Sequence, residues 1–242
     1  MDPIFESYTL QHFSALIVFA LITCLAIWIG WKSNDRTKMQ IGFILAFLAF
    51  SIMLVDLIYR LATHTFDILG DLPLFLCDLV VCMLPVIIWK RNRKWLGILY
   101  FWAIAGTLQA LITPELKSGF PSFEYFRYFI MHAGIVSAVV YCIVVWKINI
   151  TWRDFLNAVL YVQFYIIGIH LINIMLASNY SYTMKKPDST TILNFMGAWP
   201  WYILVAEIVM IILFLLLMLP FILRRTGQTG TPASTLESGQ PY

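Results

Sequence analysis

Seven apolar runs, at 12–31, 40–60, 72–89, 95–113, 126–146, 155–177 and 199–223, take up most of this 242-residue chain. A helix needs about 20 predominantly apolar residues to cross the hydrocarbon core of a bilayer. The chain therefore reads as all-α: a polytopic membrane helix bundle of about seven transmembrane helices, forming one domain over residues 1–225. The third run is the shortest and contains Pro85, which predicts a kinked or tilted span. Residues 226–242 are polar and rich in Gly and Pro, and read as a disordered cytoplasmic tail. Only 12% of the residues are charged, about half the share in a soluble domain, so no loop is expected to fold separately. The net charge of +3 gives no footing to a nucleic-acid partner.

Orientation follows from where Lys and Arg lie, since cytoplasmic loops carry the excess. One side holds Lys32, Arg36, Lys38, Lys90, Arg91, Arg93, Lys94, Lys147, Arg153, Arg224 and Arg225; the other holds Arg60, Lys117, Arg127, Lys185 and Lys186. The richer side is expected in the cytoplasm, which puts the N-terminus outside and the C-terminus inside. Cys24, Cys77, Cys82 and Cys142 all fall within apolar runs, which argues against a disulfide framework. Gly106 with Ala110 and Gly134 with Ala138 are small-xxx-small pairs that predict close helix contacts.

Polar side chains inside a membrane are costly and by default mark a site. With a rise of about 1.5 Å per residue, Cys77 lies about 7 Å and His132 about 9 Å below the outer rim. Asp56, Gln109 and Asn173 are each about 6 Å deep, His170 about 10 Å and Glu207 about 12 Å. All fall in the outer half, so one polar chamber open to the outer leaflet is expected. Gln163, His170 and Asn173 share a helix face, and Asp56 can pair with Arg60 four residues on. Trp199 and Trp201, beside Pro200, read either as an interfacial belt or as part of the chamber wall.

Cys77 and His132 agree in depth, and a thiol becomes a nucleophile when a base takes its proton. Asp78, Asp56 and Glu207 are the acids available to orient the imidazole. Cys77 read on its own is as well a small buried hydrophobe. No HExxH, HxxxH or CxxC spacing occurs, so neither a metal nor a cofactor is expected. His12 and His64 sit at the outer rim and read as solvated.

The runs Leu72-Pro73-Leu74-Phe75-Leu76-Cys77-Asp78 and Phe101-Trp102-Ala103-Ile104-Ala105-Gly106-Thr107-Leu108-Gln109, then Phe120-Pro121-Ser122-Phe123 with His132, Asn179-Tyr180 with Lys186-Pro187, and Gly197-Ala198-Trp199-Pro200-Trp201-Tyr202 recur in order. Over roughly residues 10–223 the chain resembles the YwaF-like bacterial integral membrane proteins. That family is distantly similar to an animal transmembrane acyltransferase family that remodels ether phospholipids. It is also similar to androgen-induced lipid hydrolases, which use a threonine and a histidine within the membrane. The resemblance implies a bacterial plasma membrane, membrane lipids as partners, and acyl transfer or ester hydrolysis by Cys77 and His132. Related sequences often carry a histidine where this chain has Phe75, and a function of that histidine would be lost here.

Three other readings remain: a small-solute transporter, a non-catalytic protein that works with an envelope protein partner, and, less favoured for want of a ligand motif, a metal-dependent hydrolase with His132 and His170 as ligands beside Asp56 or Glu207. The transporter lacks a visible repeat and a polar inner half. The orientation is directly testable: a cysteine placed at Asn92 should be labelled by an impermeant maleimide only after the cytoplasmic face is opened, and one at Ser118 in intact cells. Labelling in the reverse pattern would invert the topology.

Overall fold

The computed structural model describes residues 3–187 and 191–229. The helices are α1 (Leu10–Lys32), α2 (Asp35–Ala62), α3 (Leu76–Trp89), α4 (Arg93–Ile112), α5 (Phe123–Val145), α6 (Trp152–Leu176) and α7 (Trp201–Thr229). Six of them are long and apolar enough to cross a membrane, and α3 is the seventh, shorter one. The greater part of the expected tail, 230–242, lies outside the described residues.

Four helices begin two to five residues before their apolar runs, because polar residues cap them. Asn34 Oδ1 accepts from Thr37 N at 2.9 Å, Asn92 Oδ1 from Trp95 N at 3.2 Å and Ser122 Oγ from Tyr125 N at 3.2 Å. Thr151 and Asp154 form a reciprocal capping box at α6. Each cap satisfies a backbone N–H that the first turn leaves open. Hydropathy sees only the apolar stretch behind the cap.

The third run departs further from expectation. Its helix has 14 residues, about 21 Å, against a core about 30 Å thick. Pro73 lacks an N–H, and the Asp78 carboxylate accepts from Phe75 N at 3.1 Å, which starts the helix late. Non-helical backbone at membrane depth survives only where the protein satisfies it. Here Leu72 N donates to Tyr180 Oη at 3.0 Å, and the Leu74 carbonyl accepts from Tyr165 Oη at 2.8 Å.

α5 is the axis of the bundle. Of its central 18 residues 72% are buried, against 17% for α1, α2, α6 and α7. It packs against α1, α2, α3 and α4, while α6 and α7 lie beyond α4. Gly134 accounts for the closeness of α2: a Cβ there would sit 2.8 Å from that of Ala49. This is the tight contact expected of that pair. Gly106 behaves differently, with nothing within 4 Å of an added Cβ. It belongs to a π-helical turn, Trp102–Thr107, inside α4.

The two ends of the bundle are pinned by different devices. At one end the Arg93 guanidinium grips Asp154 through Nη1–Oδ1 at 2.5 Å and Nη2–Oδ2 at 2.7 Å, and Nη2 also reaches the Asn149 carbonyl. At the other, His12 is 1% exposed rather than solvated. Its Nδ1 accepts from Tyr8 N at 3.1 Å and its Nε2 donates to the Leu111 carbonyl at 2.8 Å, tying α1 to the end of α4.

A Cβ on Gly97 would lie 2.6 Å from Asp154 Oδ1, whereas one on Gly168 would meet nothing within 4 Å. Gly97→Ala should therefore cost about 1–3 kcal/mol through overpacking, and Gly168→Ala should be neutral or stabilising by about 0.5–1 kcal/mol. Thermal unfolding in detergent micelles distinguishes the two outcomes.

Candidate functional site

At the end of the bundle that carries the N-terminus, the polar residues singled out above fall into separate compartments rather than one chamber. The first is charged. Arg60 Nε meets Asp56 Oδ2 at 3.1 Å, the pairing expected from their spacing, and Arg60 Nη1 meets Asp71 Oδ1 at 3.2 Å. Arg127, from α5, brings its Nε to 3.5 Å from Asp56 Oδ2, within ion-pair distance but not aligned as a hydrogen bond. Asp78 and Phe75 complete the lining of this cavity of about 170 Å³. Asp56, on α2, thus belongs to a charge network with Arg60, Asp71 and Arg127, and Asp78, on α3, borders its cavity.

The second compartment is an apolar cleft of about 480 Å³ between α4, α6 and α7. Gln109 and Glu207 are polar groups in its wall, among Trp102, Val162, Met210 and Phe214. Glu207 Oε2 accepts from Gln163 Nε2 at 2.6 Å. Gln109 Nε2 donates to Thr113 Oγ1 at 3.3 Å. The π turn widens α4 here and leaves Gly106 facing the cleft, and such turns recur at functional sites.

The third set anchors the loop between α6 and α7, and Thr183 is its knot. His170 Nδ1 lies 3.2 Å and Asn173 Nδ2 2.9 Å from Thr183 Oγ1, while Trp199 Nε1 donates to the Thr183 carbonyl at 3.2 Å. Asn173 is fully buried, and it also donates to the Tyr180 carbonyl and accepts from Ser178 Oγ and Tyr180 N, each at 2.8 Å. Trp201, 62% exposed, points out of the bundle, as an interfacial tryptophan would.

Tyr182 and Phe75 are the partitions. Tyr182 lines both the cleft and a vestibule of about 500 Å³ that also holds Lys117 and Lys186. Its hydroxyl donates to Glu115, and its carbonyl accepts from Tyr202 Oη. Burial, and after it the adjoining Glu115 carboxylate, hold the Tyr182 phenol above its ordinary range. Phe75 packs on Tyr180 and Tyr182, with ring centroids 5.4 and 5.9 Å apart. It therefore stands between the vestibule and the charged cavity.

Cys77 follows Leu76, which lines the cleft, and precedes Asp78, which lines the charged cavity, whereas neither Cys77 nor His132 is in the lining of these three cavities. Cys77 is half-buried, and its thiol sits 3.5 Å from Oγ1 of Thr107, the last residue of the π turn. His132 Nδ1 is 2.8 Å from the Tyr128 carbonyl. A carbonyl only accepts, so Nδ1 carries the proton and Nε2 keeps a lone pair. The Tyr128 ring lies over the imidazole with centroids 4.3 Å apart. Among the described residues no hydrogen bond joins the thiol to the imidazole.

Sequence reasoning passed over Thr107, Tyr128, Thr183 and the Arg93–Asp154 clamp. Tyr128 was the accessible one, since it precedes His132 by one helical turn. Among the described residues no group of three His, Cys, Asp or Glu could hold a metal ion.

Among known proteins, the model of the TMEM164 family, a family of membrane proteins, matches residues 7–218. No curated protein and no solved structure matches.

Asn173→Ala would strip four hydrogen bonds from a buried knot. Each buried partner left unpaired costs roughly 1–3 kcal/mol. Such a variant should melt earlier and be cut faster by protease within 177–187, whereas Trp201→Ala should leave both unchanged.

Proposed function

The chain belongs to the TMEM164 family, and from that premise and the site's geometry we propose a membrane-embedded enzyme that moves acyl groups between lipids. Cys77 is the nucleophile and His132 the base. The observation that carries this reading is the state of His132. Its Nδ1–H is held by the Tyr128 carbonyl, so Nε2 is the basic nitrogen, beneath the Tyr128 ring. A base with its tautomer set by a second group is the arrangement that general-base catalysis requires.

The chemistry balances without a cofactor. Cys77 Sγ attacks the ester carbonyl of a donor lipid while its proton passes to His132 Nε2. The tetrahedral intermediate collapses, and the leaving alkoxide takes that proton. An acceptor hydroxyl, deprotonated by Nε2, then attacks the thioester and releases Cys77 as the thiol. With water as acceptor the product is a free carboxylic acid, which is hydrolysis. Catalytic contacts commonly close only when substrate is bound, which accommodates a resting thiol hydrogen-bonded to Thr107. The apolar cleft offers a seat for lipid chains. In the orientation expected from charge, the site faces the outer leaflet, and the YwaF-like resemblance adds a bacterial plasma membrane as its setting.

In proteoliposomes holding an ester phospholipid donor and a lysolipid acceptor, acyl exchange followed by mass spectrometry should fall at least 100-fold in Cys77→Ala. His132→Asn should fall by about 10²–10⁴, the usual contribution of a general base. Thr107→Val should lose far less. Full exchange by Cys77→Ala would exclude the proposal.

A further inference from the structure

The wall of the α4–α6–α7 cleft is apolar apart from a few groups, and two of them have an acceptor to spare. Glu207 Oε2 is occupied by Gln163 Nε2 at 2.6 Å, and Oε1 meets no donor among the described residues. The Gln109 amide is oriented by its neighbour: Thr113 Oγ1 donates its proton to the Gln109 carbonyl at 3.2 Å, so it can only accept from Gln109 Nε2. Gln109 Oε1 is thereby left as an acceptor without a donor among the described residues. Both residues line the same cavity of about 480 Å³.

An acceptor facing a low-dielectric cleft is costly unless a donor reaches it. Pockets of this kind take their shape from apolar walls and their specificity from a small number of polar groups. Glu207 stands six residues into α7, about 9 Å along the helix from Trp201, level with chains rather than headgroups. A bare acyl chain would leave both oxygens unpaired.

We propose that this cleft binds a long-chain amphiphile through a hydroxyl that donates to Glu207 Oε1. Its chain runs along Val162, Met210 and Phe214. The inference deepens the acyl-transfer reading, since an acyl acceptor is an alcohol, but binding is measurable without turnover. Gly106 offers a way to block the cleft: it lines the cavity, and nothing lies within 4 Å of a Cβ built on it.

The test uses the Cys77→Ala protein in nanodiscs, with a photoactivatable C16 alcohol and its methyl ether as paired probes. The alcohol should label α4, α6 or α7 with at least tenfold lower half-saturation than the ether, the usual scale of a hydrogen bond to a charged group. Glu207→Leu should bring the two probes together while leaving ether labelling intact. Gly106→Leu should remove labelling by both. Equal labelling by the two probes, or a preference for the alcohol that survives Glu207→Leu, overturns the proposal. If Cys77→Ala keeps full exchange activity while the alcohol preference holds, the catalytic reading fails and the binding site stands.

Discussion

Hydrocarbon offers no water to a bare peptide group, and the short third helix brings that constraint to a head. The four residues before α3, at 72–75, lie outside the helix although they belong to an apolar run. Tyr165 and Tyr180 answer for them by bonding the Leu74 carbonyl and the Leu72 N–H. Asp78 answers for Phe75 N. Because those tyrosines come from α6 and the loop after it, the site cannot form until the C-terminal half has packed. The loop between α6 and α7 is in turn fixed by Asn173 and Thr183. Cys77, at the second position of α3, inherits its placement from this chain of contacts.

Charge is handled differently at the two ends. Arg93 and Asp154 form a bidentate pair with Thr151 at the rim, a geometry that offsets the desolvation of a nearly buried carboxylate. At the opposite end, Arg60 and Arg127 share Asp56, and Arg60 also holds Asp71. That network links α2, α5 and the segment leading to α3. It lines the charged cavity and hydrogen-bonds to neither Cys77 nor His132. The cleft is the complement: two acceptors in an apolar wall, on the side of α4 that the π turn widens.

Phe75 illustrates how one position can be structural in this chain. The phenyl ring packs edge-on against Tyr180 and tilted against Tyr182, and it separates two cavities. A residue that packs on both tyrosines stabilises the same loop that satisfies the backbone before α3. Its neighbour Cys77 is left with Thr107 as its hydrogen-bond partner.

The helical class and the helix order were legible in the amino-acid sequence, because the bilayer imposes a length and a polarity on each segment regardless of its neighbours. The Asp56–Arg60 pair was legible for a similar reason: helix periodicity alone brings residues four apart together. Partners across helices were not. Depth along a helix is a one-dimensional quantity, and residues at equal depth can face opposite walls. His12 looked like a rim histidine by position and is a buried clamp because Tyr8 and Leu111 surround it. Gly106 looked like a packing glycine and opens a cleft. Only tertiary structure decided that the polar groups divide among compartments, since that division depends on how each helix is rotated about its own axis, a freedom that hydropathy does not constrain.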